Sequence, residues 1–255
     1  MGLFKKNELD VKREYLLSNK LPFEVREAFR NLKASLCVSF PKKENGEGIV
    51  LLVTSACPEA GKTTVSVNLS LMLAESNAKI LLIDADTRKG RVARYFKTNA
   101  KPGLVDCISG QASLEEVTRV YNEKLSYITC GSTSPRPYEL LESTVTKNLL
   151  SELKKQYDYI VIDTPPVLIL SDALALIPET DGTILVCRHR SSHVNDIAKT
   201  LRALRFAKAN VLGVVVNDYS SLDKPRKKYG GYHYYSRSYA AYYQDAEKEV
   251  EKINE

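Results

Sequence analysis

Tryptophan is absent from this chain of 255 residues, methionine occurs twice and histidine three times. Five cysteines (Cys37, Cys57, Cys107, Cys130, Cys187) are scattered without a C-x-x-C pair. An odd, unpatterned set fits reduced thiols better than a disulfide frame or a zinc site. His189 and His193 lie four apart but straddle an expected strand-to-loop junction with no third ligand, so they read as surface residues. No apolar run approaches the roughly 18 residues needed to cross a bilayer. The opening MGLFKKNELD lacks a signal peptide's apolar core, and Lys6 stands where myristoylation requires Ser or Thr. The formal charge is only +6, with both signs spread along the chain. A concentrated basic face is therefore missing, and no nucleic-acid partner is expected.

What the chain does hold is a series of short β-branched runs: 48–55, 79–86, 125–130, 159–165, 182–188 and 210–218. Nearly continuous apolar strands are those buried on both faces, as in a parallel sheet covered by helices. Helix-like stretches at 62–77, 138–157 and 193–208 separate them. The alternation predicts βαβ units, hence an α/β, doubly wound and mostly parallel sheet with helices on both faces. A further helix is expected over 22–39, with Val25, Phe29, Leu32 and Leu36 on one face. One domain over 1–219 is expected. Beyond about residue 220 aliphatic residues give way to Lys, Arg, Gly, Tyr and Ser, which reads as a flexible tail over 220–255.

Directly after the first run comes TSACPEAGKTT, which matches G-x-x-x-x-G-K-[ST] except for Ala56 in the first glycine's place. The physical demands of a phosphate loop survive that change. Ala60 and Gly61 bring backbone close to a phosphate, and the following helix directs free N–H groups at the anion. Lys62 reaches the β- and γ-phosphates, Thr63 offers a hydroxyl to Mg²⁺, and Thr64 is placed for the α-phosphate. KILLIDADTRKG ends a strand in Asp84 and Asp86 with Arg88 beyond, and YIVIDTPP ends another in Asp163. Ligands of open α/β sheets sit outside the carboxyl ends of strands, so these acids are expected to converge on the loop and to help hold Mg²⁺ beside ATP. Asn217, at the end of GVVVND, either pairs with a purine edge or ends a strand in a turn.

At these residues the sequence resembles the bacterial tyrosine kinases, or BY-kinases, of capsule and exopolysaccharide export. TSACPEAGKTT resembles their deviant Walker A loop, LLIDADTRKG their second acidic motif and YIVIDTPP their Walker B strand. EAFRNLK resembles their E-x-x-R-x-x-R oligomerisation helix, with Glu27, Arg30 and, in the last arginine's place, Lys33. YGGYHYYSRSYAAYY (229–243) resembles their tyrosine cluster. The resemblance implies a P-loop NTPase fold and transfer from ATP, with Mg²⁺ held by Thr63 and by Asp86 or Asp163. It implies Asp84 or Asp86 as the base, and Tyr229, Tyr232, Tyr234, Tyr235, Tyr239, Tyr242 and Tyr243 as acceptors. It further implies a ring-shaped homo-oligomer, a transmembrane adaptor of the polysaccharide co-polymerase kind and a cognate tyrosine phosphatase. The location implied is cytoplasmic, peripheral to the inner face of the membrane. The rival is a nucleotide-switched, dimerising ATPase of the partition or division type. Those proteins carry a signature lysine early in the loop, where this sequence has Cys57.

Overall fold

The computed structural model describes residue 16 and residues 21–40 and 46–219. The seven candidate acceptor tyrosines and the rest of the tail lie outside the described residues.

Helix α1 (Phe23–Ser39) comes first, then strand β1 (Ile49–Ser55), helix α2 (Lys62–Ala74) and strand β2 (Ile80–Asp84). Three short helices follow, α3 (Val92–Tyr95), α4 (Leu104–Ile108) and α5 (Leu114–Val117), then strands β3 (Thr118–Val120) and β4 (Leu125–Ile128). Helices α6 (Pro137–Glu142) and α7 (Thr144–Leu153) precede β5 (Tyr159–Asp163) and α8 (Asp172–Leu176). A 3₁₀ turn leads into β6 (Gly182–Arg188), α9 (Val194–Phe206) and β7 (Val211–Asn217).

The seven strands form one sheet in the order β3-β4-β2-β5-β1-β6-β7. All pairs are parallel except β3 with β4, which is antiparallel at one edge. The doubly wound sheet expected from the apolar runs is therefore present. Strand alternation builds two cores at once. Val50, Leu52, Leu81, Ile83, Ile160 and Ile162 face one cluster. Leu51, Val53, Ile80, Leu82, Val161, Ile184 and Val186 face the other, beneath α1 and α2.

Three expectations need correction. The stretch 138–157 is two helices, because Ser143 ends α6 and its hydroxyl accepts the Thr146 N–H to cap α7. The run 210–218 is not buried on both faces. It lies at the sheet edge, with Val214 and Val216 47% and 53% exposed. On α1, Phe29, Leu32 and Leu36 pack on the core as expected, whereas Val25 stays exposed. Strand β3 was not anticipated, since three residues are too short to show a period of two.

Candidate active site

The central strands β1, β2 and β5 end on one side of the sheet, and the turns after them meet there. Thr54 Oγ1 donates to Pro165 O at 2.9 Å and Thr164 N to Val53 O at 3.1 Å, tying the ends of β1 and β5 together. Ala85 N donates to Asp163 O at 2.8 Å, tying β2 to β5. The register between those strands places Asp84 directly opposite Asp163. The acids that end the two motifs are thus paired by the ladder itself.

The phosphate loop turns into α2 at Gly61, whose φ of +93° lies in the left-handed region. A Cβ at that position would run into the Asn217 side chain. Asn217 Nδ2 in turn donates to Ala60 O at 3.0 Å, so the end of β7 braces the loop. Asn217 was expected to face a purine or to close a turn; the structure gives its amide to the loop backbone.

Around this loop lies a cleft of about 520 Å³, lined by Gly61, Lys62, Thr63, Thr64, Asp86 and Arg88 among others. Thr63 Oγ1 donates to Asp163 Oδ2 at 2.6 Å and Ser66 Oγ to Asp163 Oδ1 at 3.1 Å. Asp163 is only 1% exposed, and burial pushes its carboxyl up to about 6 against the pull of Thr63, Lys62 and Ser66. Asp84 is fully buried. Burial and then the neighbouring Asp163 carboxylate push it well above the usual range. Its oxygens accept the Asp86 N–H at 3.2 Å and the Val92 N–H at 3.0 Å. Asp86 lines the cleft, while its Oδ1 also accepts the Lys89 N–H at 2.9 Å. Lys62 is 8% exposed, and burial pulls its ammonium below the usual lysine range although Asp163 and Asp86 oppose this.

Two further expected residues have partners that the motifs did not reveal. Arg88 Nε lies 3.3 Å from Oδ2 of the buried Asp172, which holds the arginine at the cleft wall. Thr64 Oγ1 shares a 2.6 Å hydrogen bond with the Tyr95 hydroxyl, and Tyr95 also lines the cleft. Arg188 forms a 2.9 Å ion pair with Asp218 beside Asn217. Tyr95, Asp172 and Arg188 carry no local sequence signal, because α3, α8 and β6 bring them in from elsewhere in the chain.

Away from the cleft, Glu27 and Arg30 pair with each other at 3.2 Å on exposed α1. Among the described residues no three His, Cys, Asp or Glu side chains form a metal cage. Magnesium needs only one or two carboxylates together with hydroxyl and phosphate oxygens, and Thr63 beside Asp163 is a hard oxygen pair of that kind. The residues present fit Mg²⁺ on that ground. No helix among the described residues is long and apolar enough to cross a membrane.

A family described as an AAA domain matches residues 58–210. The tyrosine-protein kinase CpsD of Streptococcus pneumoniae is 39% identical over 183 residues, covering 71% of this chain and 79% of that protein. The chain spans only 28% of the length of some other curated relatives that it matches. Among solved structures, the kinase domain of the Escherichia coli tyrosine kinase ETK is similar with a TM-score of 0.74 and 31% identity, covering 80% of each chain. The septum site-determining protein MinD of Pyrococcus horikoshii, complexed with Mg-ADP, has a TM-score of 0.59 and 26% identity over 70% of this chain and 74% of that one. By loop, acids, sheet and likeness together, the chain belongs to the bacterial tyrosine-protein kinases.

Proposed function

We propose that the chain transfers the γ-phosphoryl group of ATP to tyrosine hydroxyls, with those of its own tail as acceptors. The observation that carries this reading is the Thr63–Asp163 hydrogen bond of 2.6 Å at the foot of a cleft that also presents Lys62 and Asp86. Phosphoryl transfer passes through a loose transition state, so catalysis rests on positioning and charge neutralisation. Lys62 binds the β- and γ-phosphates from a buried position where its charge is little screened. Thr63, with Asp86 or Asp163, would hold Mg²⁺, which when bound neutralises charge on the phosphate oxygens. In this reading the Arg188–Asp218 pair and Asn217, which line the same cleft, take the nucleoside.

In the transfer the tyrosine oxygen bonds to the γ-phosphorus, and the bond from that phosphorus to the β–γ bridging oxygen breaks. ADP leaves with the electron pair, and the phenolic proton passes to a carboxylate. A phenol with a pKa near 10 gains from such a base. Asp86 is the better placed of the two candidates. It lines the cleft, whereas Asp84 is buried with its oxygens on backbone N–H groups. Asp84 is accordingly a positioning residue in this reading.

Acceptors Tyr229, Tyr232, Tyr234, Tyr235, Tyr239, Tyr242 and Tyr243 reach a neighbouring subunit's cleft in a ring assembled through Glu27, Arg30 and Lys33. Phosphates on Tyr229, Tyr232, Tyr234 and Tyr235 turn the basic 224–237 segment, which holds five Lys and Arg and no acid, negative and loosen that ring. A transmembrane adaptor holds the kinase at the inner face of the membrane, a phosphatase resets it, and polysaccharide export is the process governed. The test is incubation with ATP and Mg²⁺ followed by mass spectrometry of the tail. Tail phosphate is expected from the wild-type chain and none from Lys62→Met. Rapid ATP hydrolysis with an unmodified tail would instead favour the nucleotide-switched ATPase that the likeness to MinD raises.

A further inference from the structure

Three arginines line the cleft: Arg88, Arg91 and Arg188. Two are committed elsewhere, Arg88 to Asp172 and Arg188 to Asp218. Arg91 has an exposed side chain and forms no ion pair with a carboxylate among the described residues.

The backbone beneath Arg91 is nevertheless fixed. Arg91 occupies the position just before α3, and the next N–H, that of Val92, donates to Asp84 Oδ2 at 3.0 Å. Val92 is fully buried and Ala93 is 7% exposed. On the other side, Gly90 lies so close to Cys130 and Asp84 that a Cβ there would stand 2.5 Å from the Cys130 sulfur and 2.7 Å from Asp84 Oδ2. A guanidinium without a carboxylate partner among the described residues is therefore carried on an anchored backbone in the lining of the cleft.

Lys62 and Arg91 thus both line the cleft, two cations on one space. Two cations on one cleft favour an anion that lies between them. A phosphate suits both, and the planar fork of arginine matches phosphate oxygens. The transferred phosphoryl group spreads its charge over three equatorial oxygens, which is where a guanidinium supplied in cis has most effect.

We infer that Arg91 is a γ-phosphate-binding residue, which with Lys62 grips the terminal phosphate of ATP and has little hold on ADP. This rests on the kinase reading only for the identity of the nucleotide. The experiment measures Kd for the β,γ-imido analogue of ATP and for ADP, both with Mg²⁺, by calorimetry on the full chain. Loss of a charge-assisted contact predicts that Arg91→Ala weakens analogue binding about 10-fold and ADP binding by less than about two-fold. Arg91→Lys, which keeps the charge without the fork, falls between. Arg94→Ala, on the short helix that Arg91 precedes and outside the cleft lining, controls for general loss of positive charge. Retained ADP binding reports that each variant is folded, and should Arg91→Ala fail to fold, Arg91→Gln carries the same expectation. An unchanged analogue affinity, an equal loss for both nucleotides, or the same loss in Arg94→Ala overturns the proposal. Tail phosphorylation by the wild-type chain decides the kinase reading separately, and the affinity ratio can be read even if no tyrosine is modified.

Discussion

The proposed phosphate and nucleoside ends of the cleft are built on opposite principles. At the phosphate end Lys62, Asp84 and Asp163 are buried, and Thr63 and Ser66 hold both oxygens of Asp163. At the nucleoside end Arg188 and Asp218 pair in the open, their side chains 42% and 60% exposed. Burial makes each charge at the first end expensive to leave unpaired, and therefore strong toward a polyanion. Exposure at the second end leaves water free to replace any one contact. Substitutions should accordingly fall steeply in effect from one end to the other.

The sharpest test lies at Lys62. Lys62→Met removes the buried cation while keeping a similar apolar stem, and tail phosphorylation should fall by at least about 1000-fold as read by mass spectrometry. A residual rate within about 10-fold of wild type would remove the contrast altogether.

Asp163→Asn separates function from stability at the same end. Transfer should fall by about 100-fold, since the hydroxyl–carboxylate pair at Thr63 is lost. Stability should move the other way. Asp163 binds its proton more tightly in the folded chain (about 6) than an unfolded aspartate does, near 4. Between those values the folded state holds more protons than the unfolded one, so stability from this group is full at acid pH and is lost as pH rises through about 6. The variant lacks this loss. Its melting temperature relative to wild type, nucleotide-free, should climb between about pH 4.5 and 7; a constant difference would show that the carboxyl is not under this burial stress.

Gly61 joins the two ends, because the Asn217 amide packs where a Cβ would be. Gly61→Ala forces a side chain into a left-handed position and displaces Asn217 from Ala60 O. Calorimetry should show ATP and ADP both binding about 10-fold more weakly, since the whole loop shifts. A loss confined to ATP would mean that the two ends are not mechanically coupled.

The same contrast explains what the sequence discloses. Asp84, Asp163, Lys62 and Thr63 sit at strand ends or in a glycine loop, where local chemistry dictates residue type. They are legible from spacing, as are the strands that carry them. Tyr95 and Asp172 act through contacts made across the fold, at Thr64 and Arg88, and nothing beside them in the chain marks this. The break at Ser143 was written locally, as a serine three residues before Thr146, but the helical period continues through it and hides the cap. Strand β7 misled because an apolar run reports composition, whereas its place at the edge is set by the order of the sheet.

The smallest effect belongs to Arg188. Its pair with Asp218 is exposed on both sides, and its contact to Glu59 O, at 3.5 Å, is at the limit of a hydrogen bond. Such a pair contributes roughly 0–1 kcal/mol to folding, so Arg188→Ala should leave the melting temperature within a degree or two of wild type. Nucleotide affinity should fall only about three-fold. That loss should be the same for ADP and the imido analogue, because the nucleoside end offers identical groups in both. Arg91→Ala predicts the opposite pattern, a change in the ratio of the two affinities. Measured side by side, the two arginine variants assign each end of the cleft to its own part of the nucleotide: a ratio altered by Arg188→Ala would place that residue among the phosphate contacts and erase the division.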